Sequence, residues 1–275
     1  LGGALRGKTY TELSTDGQVN YLQKTYSLVS DGTNGASTIT FTAGGVTLAT
    51  RTVNFVGTAT SYTFGTPTKT VTGVGETSSV TVTGADSLGT TTGAASVYAF
   101  SSDTSVATVN SSQSATVVVT GVKSGTATIT VGNASTLATS TITKTLAVKV
   151  GAITAKTVAF TMSPTTPQPG EKVTLTVTAT DASGNAVGDG SRNLFTSAGI
   201  TTSLAVQGAT WTAAAAVTLK DGKGEFTFYA PTGTGSLVVS ATEGASTDNV
   251  IAAGTAAAIT GSVTLRLRRG DDYSI

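Results

Sequence analysis

Ser79-Val80-Thr81-Val82-Thr83-Gly84-Ala85-Asp86-Ser87-Leu88-Gly89 returns, little changed, as Thr174-Leu175-Thr176-Val177-Thr178-Ala179-Thr180-Asp181-Ala182-Ser183-Gly184. In both runs aliphatic residues alternate with Thr or Ser. That two-residue period belongs to a strand with one face buried and the other in water. Branching at Cβ suits Val and Thr to extended backbone. Each run ends on an Asp able to bond the backbone two residues on, followed by a Gly free to take positive φ. Asp86 and Asp181 lie 95 residues apart, close to the ~100 residues of one β-sandwich domain.

The same alternation recurs in Thr126-Ala127-Thr128-Ile129-Thr130-Val131. Turn pairs such as Asp31-Gly32, Asn34-Gly35 and Asp221-Gly222 punctuate the chain. Many short strands with close turns predict an all-β fold of tandem β-sandwiches. No amphipathic helix stands out, and residues 11–24 are expected to form at most a turn of helix. A second repeat links Thr38-Ile39-Thr40 and Thr47-Leu48-Ala49-Thr50 to Thr128-Ile129-Thr130 and Thr136-Leu137-Ala138-Thr139. These matches divide the chain into four stretches. Residues 1–60 read as a partial or irregular module, too short for its early strands. Residues 61–151 and 152–250 read as full modules. Residues 251–275 read as a tail in which Ser262–Arg268 forms one more strand.

Composition narrows the function. Charged residues make up only 11% of the 275, against about 25% in ordinary globular domains. Lys and Arg number 16 and Asp and Glu 15, a net charge of +1. No global field steers nucleic acid or an anionic membrane to such a surface. The chain has no Cys and no His. Thiol chemistry, disulfide scaffolding, the commonest general base and the commonest transition-metal ligand are thereby removed. Ser without His lacks its usual activator, and no Ser–Lys signature is present, so no enzyme is expected. No leader-like pattern is visible, and no apolar run approaches the ~20 residues of a membrane span. Expectation therefore favours a soluble extracellular chain, a processed form or an excerpt, with no nucleic-acid partner and no membrane insertion.

Phe100-Ser101-Ser102-Asp103-Thr104-Ser105-Val106-Ala107-Thr108-Val109, followed by Val119-Thr120-Gly121-Val122-Lys123-Ser124-Gly125-Thr126-Ala127-Thr128-Ile129-Thr130-Val131, resembles the bacterial immunoglobulin-like group 2 module. Phe100 stands where that family often has Trp, and Gln113-Ser114 replaces a usual glycine. Pro169-Gly170-Glu171-Lys172-Val173 through Val187, with Gly222-Lys223-Gly224-Glu225-Phe226-Thr227-Phe228, resembles the invasin/intimin-type module. Such modules serve in adhesin stalks, surface layers and phage virions. The resemblance implies an all-β fold of tandem immunoglobulin-like β-sandwiches in an extracellular spacer or lattice role, and it carries over no catalytic or binding residue. Phe100, Trp211, Phe226 and Phe228 are the expected large core residues.

Asp181, Asn185 and Asp189 are the candidate calcium ligands and calcium the candidate cofactor, with turn chemistry the favoured account of their spacing. Asp271-Asp272 reads as a solvated pair. Arg269-Gly270-Asp271 spells a short adhesive motif of the kind that arises by chance. Asn110-Ser111-Ser112 and Asn133-Ala134-Ser135 are glycosylation sequons. Arg266, Arg268 and Arg269 form a basic cluster suited to an acidic partner or a charged edge strand. With Val263, Leu265 and Leu267 they make an amphipathic strand fitted to join another sheet. The expected partners are copies of this chain, with a cell-wall polymer or glycan as a further partner. Residues 262–269 are the expected donor strand and residues 1–60 the acceptor in a head-to-tail polymer, a surface layer or filament. An adhesin stalk and a virion component are the alternatives.

Overall fold

The structure, a computed structural model, describes residues 33–211, 216–232, 235–244 and 258–265. Among them the chain is built of strands, with one 3-10 turn at Leu137–Thr139.

A hairpin leads, β1 (Gly35–Ala43) with β2 (Val46–Phe55). The first sandwich follows. One of its sheets orders β3 (Ser61–Phe64), β5 (Thr77–Ala85), β9 (Thr116–Gly121) and β8 (Ala107–Val109), with β6 (Thr91–Ala94) paired to β5. The facing sheet orders β4 (Val71–Gly73), β11 (Thr143–Gly151), β10 (Gly125–Gly132) and β7 (Tyr98–Ser101). Read in chain order these are the A–B–E–D and C–F–G sheets of an immunoglobulin-like sandwich. The entering strand switches sheets, so β4 lies parallel to the leaving strand β11.

The second sandwich repeats the plan. β12 (Thr157–Ser163), β13 (Lys172–Thr180) and β17 (Lys223–Tyr229) form one sheet. β15 (Phe195–Thr202), β18 (Gly235–Glu243) and β19 (Ala258–Leu265) form the other. A short ladder joins β14 (Gly190–Asn193) to β16 (Ala216–Leu219).

Alternation sets which side chains go inside. On β5 Val80 and Val82 are buried, and on β13 Val173, Leu175, Val177 and Ala179 are fully so. Burying each Val or Leu contributes about 1.5–3 kcal/mol. The first core is mostly Val and Ile around Tyr62, and the second is larger and includes Phe160, Phe195 and Phe228. Trp211 meets Phe228 edge-on at 5.5 Å and Phe226 at 6.3 Å. Phe228 is fully buried, whereas Trp211 and Phe226 pack partly buried against the core. Phe100 is only half-buried on β7, beside Gly132.

Asp221-Gly222 turns β16 into β17 with both residues at positive φ, 50° and 71°. Lys220 and Lys223 exchange backbone bonds across it, the two-residue hairpin its sequence encodes.

Three sequence expectations change. The strand expected over Ser262–Arg268 as a tail runs over Ala258–Leu265 and closes the second sandwich, paired to β18 from Gly235↔Leu265 to Thr242↔Ala258. The boundary at residue 250 therefore cuts through this module. The match of Thr47–Thr50 to Thr136–Thr139 is not structural, since the former lie in β2 and the latter in a 3-10 turn. The true correspondence is one of register. Gly35 faces Phe55 and Ile39 faces Arg51, as Gly125 faces Val150 and Ile129 faces Leu146. The hairpin β1–β2 is thus the equivalent of the closing hairpin β10–β11. The turn at Gly44-Gly45 is shorter than the loop between β10 and β11, which hid the alignment from a constant sequence offset. Residues 11–24 lie outside the described residues.

Candidate functional site: the joint between sandwiches

The repeated Asp ends its strand in a loop held from within. Asp86 N–H bonds Thr90 O and Gly89 N–H bonds Asp86 O, while Oδ1 accepts from Leu88 N and Thr90 N at 3.0 and 2.9 Å. Asp181 does the same with Asn185 and Gly184, and its Oδ1 accepts from Ser183 N and Asn185 N at 2.9 and 3.0 Å. The second carboxylate oxygen faces outward. Asp86 Oδ2 accepts from Gly57 N at 3.0 Å, and Asp181 Oδ2 from Ala152 N at 3.2 Å. Gly57 and Ala152 lie just past β2 and β11, where one unit passes into the next. Every partner in the second set stands 95 residues beyond its counterpart. The repeat therefore encodes a joint as well as a strand.

The residue before each hairpin glycine completes the clamp. Asn34 Nδ2 bonds Ser87 Oγ at 3.3 Å. Ser124 Oγ donates to Asp181 Oδ2 and accepts from Asn185 Nδ2 at 2.9 Å. These donors favour the ionised acids. The Asn34 amide, then Gly57 N–H, hold Asp86 down to about 2. Burial pushes Asp181 upward, but Ser124 and the Ala152, Asn185 and Ser183 amides outweigh it, so its pKa is lowered.

The joint between the two sandwiches carries more. Arg192 forks onto Glu76 with Nη1···Oε1 2.7 Å and Nη2···Oε2 2.9 Å, and Lys69 Nζ reaches Glu76 at 2.7 Å. Arg192, then Lys69, bring Glu76 down to about 2 against the effect of burial. Asp189 Oδ2 accepts from Thr70 N at 2.6 Å and Oδ1 from Asp221 N at 2.7 Å. Lys149 pairs with Asp221 at 3.2 Å. Glycines bring the backbones together: a Cβ on Gly188 would stand 2.5 Å from Gly73 Cα, and one on Gly151 would stand 2.0 Å from Ala186 O.

Of the candidate calcium ligands, Asp181 and Asn185 share one loop, whereas Asp189 faces Thr70 and Asp221. The carboxylate oxygens point at N–H and O–H donors, an arrangement suited to an anion's own hydrogen bonds and unlike a cation cage. Among the described residues no three His, Cys, Asp or Glu gather where they could hold a metal. Asn110 and Asn133 spend their side chains on turns: Asn110 Oδ1 accepts from Val118 N, and Asn133 Oδ1 accepts from Thr141 N and Ile142 N. A cleft of about 220 Å³ in the first sandwich is lined by residues such as Thr72, Val80, Leu146 and Lys149, and no carboxylate lines it. Val263 and Leu265 lie in β19. Arg266, Leu267, Arg268, Arg269, Asp271 and Asp272 lie outside the described residues.

Sequence reasoning missed Glu76, Arg192, Gly73, Gly151 and Gly188. Glu76 and Arg192 lie far apart in the chain, with no local pattern to link them. The clamp was half legible, since the repeated Asp was visible and its linker partner was not.

Fold and joint define two immunoglobulin-like sandwiches in series, preceded by a hairpin that docks as the first sandwich docks on the second. No family model matches the chain, and no curated protein matches it. Solved structures do. The Escherichia coli adhesin FdeC is 19% identical over 86% of this chain and 75% of that one, with a TM-score of 0.34. Domains 4 and 5 of the S-layer protein SbsC are 19% identical over 75% of this chain and 98% of that one, with a TM-score of 0.30. Invasin, a bacterial integrin-binding protein, is 15% identical over 86% of this chain and 46% of that one, with a TM-score of 0.28. At these identities and TM-scores the likeness assigns no ligand, partner or activity to this chain. Among the described residues no helix is long and apolar enough to cross a membrane.

Proposed function

We propose that this chain is a non-enzymatic, rod-like spacer in an extracellular surface protein, holding successive sandwiches at fixed angles. The observation that carries this reading is the Asp clamp made twice, Gly57 on Asp86 and Ala152 on Asp181. A flexible linker leaves its backbone amides to water. Here an amide one or two residues past each closing strand is held by the next module's loop. Absence of His and Cys, and a cleft without carboxylates, support a role without catalysis.

Small-angle scattering of the purified chain tests the reading. A rigid spacer gives an extended particle whose cross-section is that of one sandwich and whose profile fits a single conformer. A broad ensemble of bent forms would refute it.

Assembly into a layer or filament through residues 262–269 is the reading that sequence alone favours. It requires β19 to leave β18, its ladder partner along eight residues. That existing pairing supports the spacer over strand exchange. Electron microscopy and light scattering at neutral pH separate the two, since ordered arrays would restore the polymer.

A further inference from the structure

The second sandwich staples the first and last strands of the first sandwich to one another. β4 ends the entering strand and β11 is the leaving strand. They run parallel, with Lys149 beside Val71, Val150 beside Thr72 and Gly151 beside Gly73. Tension along the chain draws β4 back toward β3 and β11 forward toward Ala152. On parallel neighbours those pulls oppose each other along the strand axes. The ladder bonds are then loaded together in shear, not opened one at a time from an end.

Gly188 and Asp189 of the second sandwich bond at the two ends of this short pair. On the β4 side Asp189 N–H bonds Val71 O at 2.8 Å, and the Asp189 carboxylate takes Thr70 N at 2.6 Å. On the β11 side Gly188 N–H bonds Ala152 O at 3.0 Å. The staple is itself anchored. Arg192 Nε and Nη2 bond Gly188 O and Asp189 O at 3.0 Å each, while the same guanidinium forks onto Glu76. The Asp221 amide holds the other Asp189 oxygen at 2.7 Å. For β4 to slide past β11, these bonds must break with the ladder.

We infer that the docked second sandwich is a mechanical lock on the first, and that the chain is built to carry tension along its length. This deepens the spacer reading and rests on it for the direction of load. The protein has no cysteine, so introduced pairs define pulling points in the full chain. Thr58→Cys with Lys156→Cys loads β4 and β11 in shear. Thr58→Cys with Ala138→Cys pulls both strands from the same end and peels them. Single-molecule unfolding is expected to need higher force in the first geometry. Asp189→Ala is expected to speed unfolding under constant load about tenfold in that geometry, as loss of charge-assisted bonds would, and far less in the second. Should Asp189→Ala disturb docking at rest, Arg192→Met loosens the same staple and leaves the bonds of the Asp189 carboxylate and N–H in place. Equal forces in the two geometries, or equal effects of a variant in both, would overturn the lock. Scattering on the same samples keeps the two readings apart. A bent, flexible chain with geometry-dependent forces removes the rigid spacer alone, and a rigid rod with equal forces removes the lock alone.

Discussion

Asp86 and Asp181 each make one carboxylate the meeting point of a loop and an incoming strand. Asp181→Ala strands the amides of Ser183, Asn185 and Ala152, of which the first two shape the loop and the third fixes the joint. A loss of about 1–3 kcal/mol is expected from buried donors left unmade, read by denaturant unfolding of the second sandwich. Gly188→Ala acts on the same joint by contact. Its Cβ would meet the Gly73 backbone, which cannot swing aside as a side chain can. The cost expected of such overpacking is about 1–3 kcal/mol. The acids also set the pH response. Glu76 and Asp86 sit at about 2 in the folded protein, below their ordinary values of 4.5 and 3.8. A lowered folded pKa means stability that is complete above the ordinary value and lost as pH falls through the folded one. Melting temperature is therefore expected to stay level from neutral pH down to the ordinary values and to fall only below them. A loss between pH 7 and 5 would contradict this assignment of charge.

At the scale of the strand, side-chain period decides almost everything. Leu175 is fully buried on β13, and its neighbour Thr176 lies on the outer face. Leu175→Ala is expected to cost about 2–5 kcal/mol and Thr176→Ala well under 1, compared by denaturant titration of the two variants. This alternation made strands, turns and fold class readable in the sequence, because it is local and repeats every two residues. The joint was not readable in the same way. Arg192 and Glu76 obey no spacing rule, and an isolated Arg in a Thr-rich chain looks like any solvated charge. The close approach of Gly188 to Gly73 exists only once two sandwiches meet. β19 was seen as a strand but placed in a tail, since its partner β18 comes before a long connection. The calcium candidates were read from spacing alone, and spacing cannot tell an Asx turn from a ligand loop. With Asp181 and Asp189 bonded to amides, excess chelator is expected to leave the melting temperature unchanged, and a fall would restore the cation.

Among the described residues two sandwich cores meet across a polar joint, and a single deletion asks what closes the second core. β19 supplies the ladder for one side of β18 and lies close to β12 of the facing sheet. It occupies the place of the last strand in an immunoglobulin-like sandwich. Removing residues 258–275 would turn β18 into an exposed edge and open the core around Leu237 and Val239. Trp211 is the one tryptophan in the chain and packs on Phe228 in this core, so its fluorescence follows the second sandwich specifically. The deletion is expected to abolish the cooperative tryptophan transition while the first sandwich keeps its β signal in circular dichroism. Because β4 and β11 would lose a folded partner at the joint, the remaining transition is expected at a lower temperature than in the intact chain. If β19 were instead a donor for a neighbouring molecule, the tryptophan transition would survive the deletion and only assembly would be lost.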